Sequence, residues 1–163
     1  MRENQKITKY PSGNKKTETY KEGDTFVTKH FYNAKDAYVK EFISLKDGIQ
    51  EIKHFTQKGV LAKLEHFVEN KRQGEEIKYV ISQANKSIKS SKIYDNGKLH
   101  GQSLTYNLNG KIIKHEVFAI GKLTLKYLRE NDGNNDITSV VIIDKENITN
   151  LPKNEYDKLQ SHI

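Results

Sequence analysis

Aromatic residues recur along the chain at nearly regular intervals, and a glycine follows most of them within a few positions. The aromatic positions are Tyr10, Tyr20, Phe31, Phe42, Phe55, Phe67, Tyr79, Tyr94, Tyr106 and Phe118. Their usual spacing of about 12 residues suits one strand and one turn, and two such units are too short for a helical repeat. Glycine supplies the positive φ that lets a chain reverse. The pattern predicts an all-β, antiparallel meander of β-hairpin repeats that forms an extended, twisted sheet.

The stretch from Ile93 to Lys122 shows the repeat most clearly. Its three turns contain Asn96-Gly97, Asn109-Gly110 and Ile120-Gly121. Asn-Gly between short runs with apolar residues is a strong hairpin signal, because both central residues of a type I′ turn need positive φ. The segments between these turns are each long enough for one strand. We therefore expect two complete strands and three tight turns here.

The last 35 residues depart from this pattern. The run Ile137–Ile143 is the most continuous apolar segment and predicts a strand that is covered on both faces. Pro152 is placed to begin a helix, and apolar residues follow it at helical spacing. Repeat arrays need an atypical end that closes the last unit. We expect a hairpin array over residues 1–128 and a capping segment over 129–163, with a short helix near Pro152–Gln160.

The composition agrees with a repeat array. Apolar residues make up 34% of the 163 residues and charged residues 30%, which is a thin supply for a thick core. No run of even ten apolar residues occurs, so no transmembrane helix is expected. The first ten residues lack the apolar region of a signal peptide. Cysteine is absent, which is compatible with a reducing compartment. These features predict a cytoplasmic protein.

Positive charge is concentrated in the middle of the chain. The net charge is +7, and nine lysines lie between Ile77 and Lys126 against only Asp95 and Glu116. Lysines on strands can simply prevent sheet edges from pairing. They can equally form a docking surface for an anionic partner. The candidate binding residues are Lys86, Lys89, Lys92, Lys98, Lys111, Lys114, Lys122 and Lys126.

Catalytic and metal-binding patterns are not found in the sequence. His30, His54 and His66 each precede a phenylalanine, so strand alternation places each histidine on the face opposite its aromatic neighbour. The expected hairpin register places His54 near Ala62 and His66 near Gln50, so these two histidines do not converge, and we interpret them as solvated strand histidines. Glu75 and Glu76 should point to opposite faces and cannot act as a carboxylate pair. We expect no catalytic site, no bound metal and no cofactor.

The segment from Tyr94 to Lys122 resembles the MORN-repeat-variant family, typified by YwqK-like antitoxin proteins of bacteria. The matching features are the turns with glycine three residues after an aromatic, the Asn96-Gly97-Lys98 and Gly121-Lys122 steps, and Leu99-His100-Gly101. The resemblance is weaker before residue 94 and does not extend over the last 35 residues. It implies a binding protein, often an antitoxin or immunity partner of a toxin. It implies no catalytic residues.

Three functions remain open from the sequence. The first is an antitoxin or immunity-like protein that neutralises a partner protein, such as an acidic or membrane-acting toxin, by stoichiometric binding. The second is a scaffold whose basic middle meets anionic lipid. The third is a nucleic-acid-binding sheet on which Tyr79, Tyr94 and Tyr106 stack bases. With Phe118, these three tyrosines are also the repeat's aromatic anchors, and packing along the repeat is their simpler role.

Overall fold

The computed structural model describes residues 2–81, 86–128, 139–144 and 147–151. These residues form fourteen strands in one sheet. The strands are β1 (Arg2–Lys9), β2 (Lys15–Glu22), β3 (Thr25–Phe31), β4 (Val39–Lys46), β5 (Ile49–Phe55), β6 (Leu61–Val68), β7 (Lys71–Arg72), β8 (Gly74–Ile81), β9 (Lys86–Asp95), β10 (Lys98–Tyr106), β11 (Ile112–Ala119), β12 (Lys122–Leu128), β13 (Ser139–Asp144) and β14 (Asn147–Leu151).

The strands follow one another across the sheet in chain order. Each strand pairs antiparallel with its sequence neighbours, with one exception. The two-residue strand β7 pairs with the end of β6, and β8 is the next strand in the sheet order after β6. The sheet is an open meander bounded by β1 and β14, which confirms the predicted all-β fold. The strand expected at Ile137–Ile143 appears as β13, while β14 was not predicted. The predicted helix near Pro152–Gln160 lies outside the described residues.

Tight turns occupy one rim of the sheet, which we call the two-residue rim. Its turns are Gly23-Asp24, Asp47-Gly48, Glu69-Asn70, Asn96-Gly97 and Ile120-Gly121. In the last of these, φ is 50° at Ile120 and 82° at Gly121, which is type I′ geometry. Type I′ turns match the right-handed twist of the flanking strands, so this rim keeps the hairpins in register.

Wider loops occupy the opposite rim, which we call the long-loop rim. Three of its loops span residues 10–14, 56–60 and 107–111, and the same two backbone hydrogen bonds close each of them. The fourth residue of each loop is a glycine with positive φ. Asn109 therefore does not sit in a type I′ turn as predicted, because only Gly110 of that pair has positive φ. Each 12-residue period thus ends in one turn, and the two kinds of turn alternate from one period to the next.

The hairpins are also joined by hydrogen bonds that do not belong to the strand ladders. On the long-loop rim, the Tyr10 hydroxyl donates to the Phe31 carbonyl at 2.9 Å, and the Tyr32 hydroxyl donates to the Phe55 carbonyl at 2.7 Å. On the two-residue rim, the Gly121 amide donates to the Leu99 carbonyl at 2.7 Å. These bonds fix the hairpins that contain them to a neighbouring hairpin, as expected for a repeat array.

The sheet is a single layer with a very small apolar core. Among residues 2–81, 86–124 and 126, Tyr20 and Val27 are the only buried hydrophobic side chains. Five polar side chains are buried as well, namely Glu18, Glu65, Glu76, Ser90 and Ser103. Stability therefore depends on cross-strand contacts and polar pairs within the sheet surface rather than on a second layer.

The strand register defines the two faces of the sheet. Residues directly opposite each other on neighbouring strands share a face. Face 1 carries the row Glu76, Lys92, Ser103, Glu116 and Lys126, with Glu65 beside Glu76. Face 2 carries the row Glu18, Lys29, Phe42, Lys53, Leu64 and Ile77.

Candidate protein-binding surface

A chain of ion pairs crosses face 1 from β4 to β8. The imidazole of His54 lies between two carboxylates, with Nδ1 3.3 Å from Glu41 Oε1 and Nε2 2.8 Å from Glu65 Oε1. The other carboxylate oxygen, Glu65 Oε2, lies 2.8 Å from Lys63 Nζ and 3.3 Å from Arg72 Nε. Buried carboxylates are tolerated when their oxygens are satisfied in this way. These residues form a continuous network that joins three hairpins.

Glu65 is held in its charged form although its side chain is only 7% exposed. Burial alone would raise the pKa of Glu65. Hydrogen bonds from Lys63 and His54, together with their positive charges, outweigh that effect and lower the pKa below its ordinary value of 4.5. A carboxylate whose oxygens are occupied by three basic groups is poorly placed to accept a substrate proton. We therefore interpret this network as structural.

The histidines differ from the sequence-based interpretation. His54 was expected to be solvated, but it is half-buried and paired with two carboxylates. His66 approaches Glu51 Oε2 at 3.6 Å through Nε2. The register pairs His54 with Lys63, one position from the predicted partner, and that shift brings Glu65 within reach. Among the residues that the structure describes, no group of three or more histidines or carboxylates is placed to hold a metal ion.

Glu76 was also missed as a structural residue by sequence reasoning. Its side chain is 3% exposed and lies 3.3 Å from Lys63 Nζ, whereas its neighbour Glu75 is exposed on the other face. The opposite orientation of the two glutamates was predicted from alternation. Their very different burial was not, because it depends on which cross-strand side chains cover each one. Knowledge of the strand register, which places Glu76 opposite Lys92 and beside Lys63, would have indicated that Glu76 is buried and paired.

The balance of charge changes at β9. Residues 2–81 carry sixteen lysines and arginines against twelve aspartates and glutamates, whereas residues 86–128 carry eight lysines against two. Lys114 Nζ lies 2.7 Å from Glu116 Oε1. None of the other seven candidate lysines has a carboxylate oxygen within 4 Å in the described part of the chain. β9–β12 therefore present positive charge that the sheet itself does not neutralise.

These eight lysines do not form one compact cluster. Lys92, Lys114 and Lys126 are half-buried on face 1. Lys98 and Lys122 are exposed on the two-residue rim, where Lys98 packs against Gly121. Lys86 and Lys111 lie on the long-loop rim, and Lys89 is exposed within β9. Because Lys114 is paired with Glu116, we define the basic strip by the other two face 1 lysines and the two rim lysines, which lie on β9, β10 and β12: Lys92, Lys98, Lys122 and Lys126.

The predicted aromatic anchors are half-buried rather than open. Tyr94 lies beside Arg72, whose guanidinium carbon is 5.3 Å from the ring centroid. Lys86 Nζ covers the Tyr79 ring at 3.8 Å. Tyr106 is opposite Ile112, and Phe118 is opposite Gly101 and Leu123. This placement suits packing along the repeat better than base stacking, because cations or neighbouring strands already occupy part of the Tyr79, Tyr94 and Phe118 surfaces.

No protein-family model matches the chain, and no curated protein sequence matches it. In the part of the chain that the structure describes, no helix is long and apolar enough to cross a membrane. The function is therefore inferred from the charges and exposed side chains of the sheet.

Proposed function

We propose that the protein is a non-catalytic binding module that neutralises a partner protein by stoichiometric binding, in the manner of an antitoxin or immunity protein. The observation that carries this proposal is the unneutralised positive charge of β9–β12 on an open sheet. A single-layer sheet offers a broad surface for a partner and no deep, enclosed site for chemistry. The resemblance of Tyr94–Lys122 to antitoxin-family hairpins supports the same conclusion.

The partner should be acidic where it meets the sheet. Opposite charges across an interface steer association and set the register of binding. The basic strip places Lys92 and Lys126 on face 1, and the two positions between them in the row are the buried Ser103 and Glu116, whose carboxylate is paired with Lys114. Lys98 and Lys122 extend the charge around the two-residue rim. A toxin that is acidic, or that acts at a membrane, fits this surface better than a basic nuclease.

Charge reversal of the basic strip tests the proposal. We expect the quadruple variant Lys92→Glu, Lys98→Glu, Lys122→Glu and Lys126→Glu to slow association with the partner on the order of 10-fold or more and to remove most of its salt dependence. The partner is captured from native cells with tagged wild-type protein, identified by mass spectrometry, and then measured for association rate at several salt concentrations. The matched control reverses four exposed lysines in the amino-terminal half, Lys9, Lys40, Lys46 and Lys58. It changes the net charge equally and should bind the partner at near wild-type rates.

The same proteins distinguish the other possible partners. Anionic vesicles and single-stranded oligonucleotides are titrated with wild type, the basic-strip variant and the control. Tight, salt-dependent binding of wild type to either polyanion, without any captured protein, would contradict the antitoxin proposal. Equal loss of partner binding in both quadruple variants would show that net charge, and not the basic strip, is responsible.

A further inference from the structure

A shallow cleft opens between the loop that joins β3 to β4 and the turn that joins β5 to β6. Its volume is about 270 Å³. Its walls are formed by Lys29, Tyr38, Val39, Phe42, Phe55 and Gly59. Three of the six lining residues are aromatic, and Lys29 is the only charged one. A mostly apolar cleft with one polar group is the usual form of a site that binds a small apolar group with a defined orientation.

Tyr38 forms an accessible aromatic wall of the cleft. The residue is 59% exposed and lines the cleft together with Phe42 and Phe55. Its ring rests on Gly59, where an added Cβ would lie only 2.6 Å from Tyr38 Cδ1. Any larger residue at position 59 would displace the ring. The glycine of this turn therefore serves the cleft as well as the chain reversal, and the ring keeps most of its surface open.

Lys29 supplies one available positive charge. Its Nζ lies 5.3 Å from the centroid of the Tyr20 ring and 5.6 Å from that of Phe42. No carboxylate oxygen lies within 4 Å of it among the described residues. Lys53 also approaches the Phe42 ring, but its Nζ is 2.7 Å from Glu51 Oε1 and its charge is balanced. The cleft thus combines aromatic surface with one ammonium group that has no carboxylate oxygen within 4 Å in the described part of the chain, although its charge acts at longer range on Glu18 of β2.

We propose that this cleft binds an aromatic side chain that lies next to a carboxylate in a partner polypeptide. The aromatic ring would pack against Tyr38 and Phe55, and the carboxylate would face Lys29. Nucleic acid is a poorer occupant, because Lys29 is the only charged residue that lines the cleft. One ammonium group suits a single carboxylate, whereas a nucleic-acid chain is bound through several phosphates that each need a positive charge. The inference rests on the proposed function for a polypeptide partner, although it uses a different part of the sheet from the basic strip.

Short capped peptides test the cleft on the isolated protein. We expect acetyl-Asp-Phe-amide to bind with a Kd on the order of 1 mM, measured by chemical-shift changes of backbone amides around residues 29, 38 and 59. Acetyl-Asn-Phe-amide lacks the charge and should bind about two- to fivefold more weakly, as for a partly exposed ion pair. Acetyl-Asp-Ala-amide lacks the ring and should show no saturable shift. Adenosine monophosphate, which also combines a ring with negative charge, should bind more weakly than acetyl-Asp-Phe-amide.

Variants of the walls assign the binding to the cleft. Tyr38→Ala should abolish saturable binding, and Lys29→Gln should reduce it to the level of the uncharged peptide. Lys29→Arg keeps the charge and should restore it. Lys40→Gln, at an exposed lysine outside the cleft, removes the same charge and should bind like wild type. Each variant is first compared with wild type in thermal unfolding, so that a folding defect is not taken for lost binding.

The outcomes separate this inference from the proposed function. Unchanged peptide binding by Tyr38→Ala and Lys29→Gln would overturn the cleft assignment, as would tighter binding of adenosine monophosphate. The basic-strip variant should still bind the peptide, because its substitutions lie on other strands. Capture of a partner protein without any peptide binding would overturn the cleft alone. Peptide binding with these variant effects, but no partner protein, would support the cleft and count against the proposed function.

Discussion

Ile120 has a backbone conformation that suits glycine or asparagine rather than a β-branched residue. Its φ is 50°, and its side chain is 67% exposed at the tip of the turn between β11 and β12. A left-handed conformation costs an L-residue about 1–2 kcal/mol, and β-branching makes it a clear outlier. The exposed side chain recovers little of that cost through packing.

We therefore expect Ile120→Asn to stabilise the protein by about 1 kcal/mol, because asparagine tolerates this conformation. The measurement is the free energy of unfolding in urea. Ile120→Val keeps the β-branch and is the matched control, for which no gain is expected. A destabilised Ile120→Asn protein would mean that the isoleucine side chain makes contacts that offset the backbone cost.

Glu65 gives the stability a defined dependence on pH. Its pKa is lowered in the folded protein from an unfolded value near 4.5. A group of this kind contributes stability that is fully present above pH 4.5 and is lost as the pH falls through the folded pKa. Glu65→Gln should therefore cost about 2 kcal/mol at pH 7 and reduce the loss of stability below pH 4.5.

Chemical unfolding of wild type and Glu65→Gln between pH 3 and pH 7 measures this effect. Glu3→Gln, at an exposed carboxylate in β1 without a basic partner among the described residues, controls for the loss of one negative charge. Parallel stability curves for wild type and Glu65→Gln would show that the ion pairs around Glu65 contribute nothing that depends on its charge.

At the scale of the hairpin, tyrosine hydroxyls add links between units on the long-loop rim. Tyr32→Phe removes the hydrogen bond to the Phe55 carbonyl and should cost about 1 kcal/mol of stability. Amide hydrogen exchange should accelerate in the loop 56–60, which that bond helps to position. Tyr38→Phe is the control, because no hydrogen bond from its hydroxyl occurs in the described part of the chain. Equal exchange in wild type and Tyr32→Phe would show that strand pairing alone holds the two hairpins.

The hairpins were largely predictable from the sequence, but the two kinds of turn were not. The aromatic spacing and the glycines predict the positions of β9–β12 correctly. The tight turns between these strands require positive φ at Gly97 and Gly121, and that requirement is visible in the local sequence. The loop at Asn107–Lys111 differs because only Gly110 takes the left-handed conformation and two backbone hydrogen bonds close a wider ring. Asn-Gly suits either turn, so the dipeptide alone cannot choose between them.

At the scale of the whole molecule, the lysines could be found by counting, whereas the buried polar residues could not. An excess of lysine over acid in β9–β12 is visible in the sequence. The pairing of His54 with Glu41 and Glu65 depends on a register one residue from the expected one, and the cleft at Tyr38 depends on two loops that meet only in the folded sheet. Long-range register is the information that a local pattern lacks.

The open meander also limits how such a protein can change its length during evolution. Each strand contacts mainly its neighbours, so a duplicated segment can be inserted without rebuilding the rest. Deleting one strand would reverse the direction of every later strand and place a wide loop where a tight turn belongs. Deleting or duplicating a complete two-strand unit preserves both rims and both faces. Length should therefore vary among descendants of this gene in steps of about 24 residues, and its binding surface would lengthen or shorten by about 10 Å at each step.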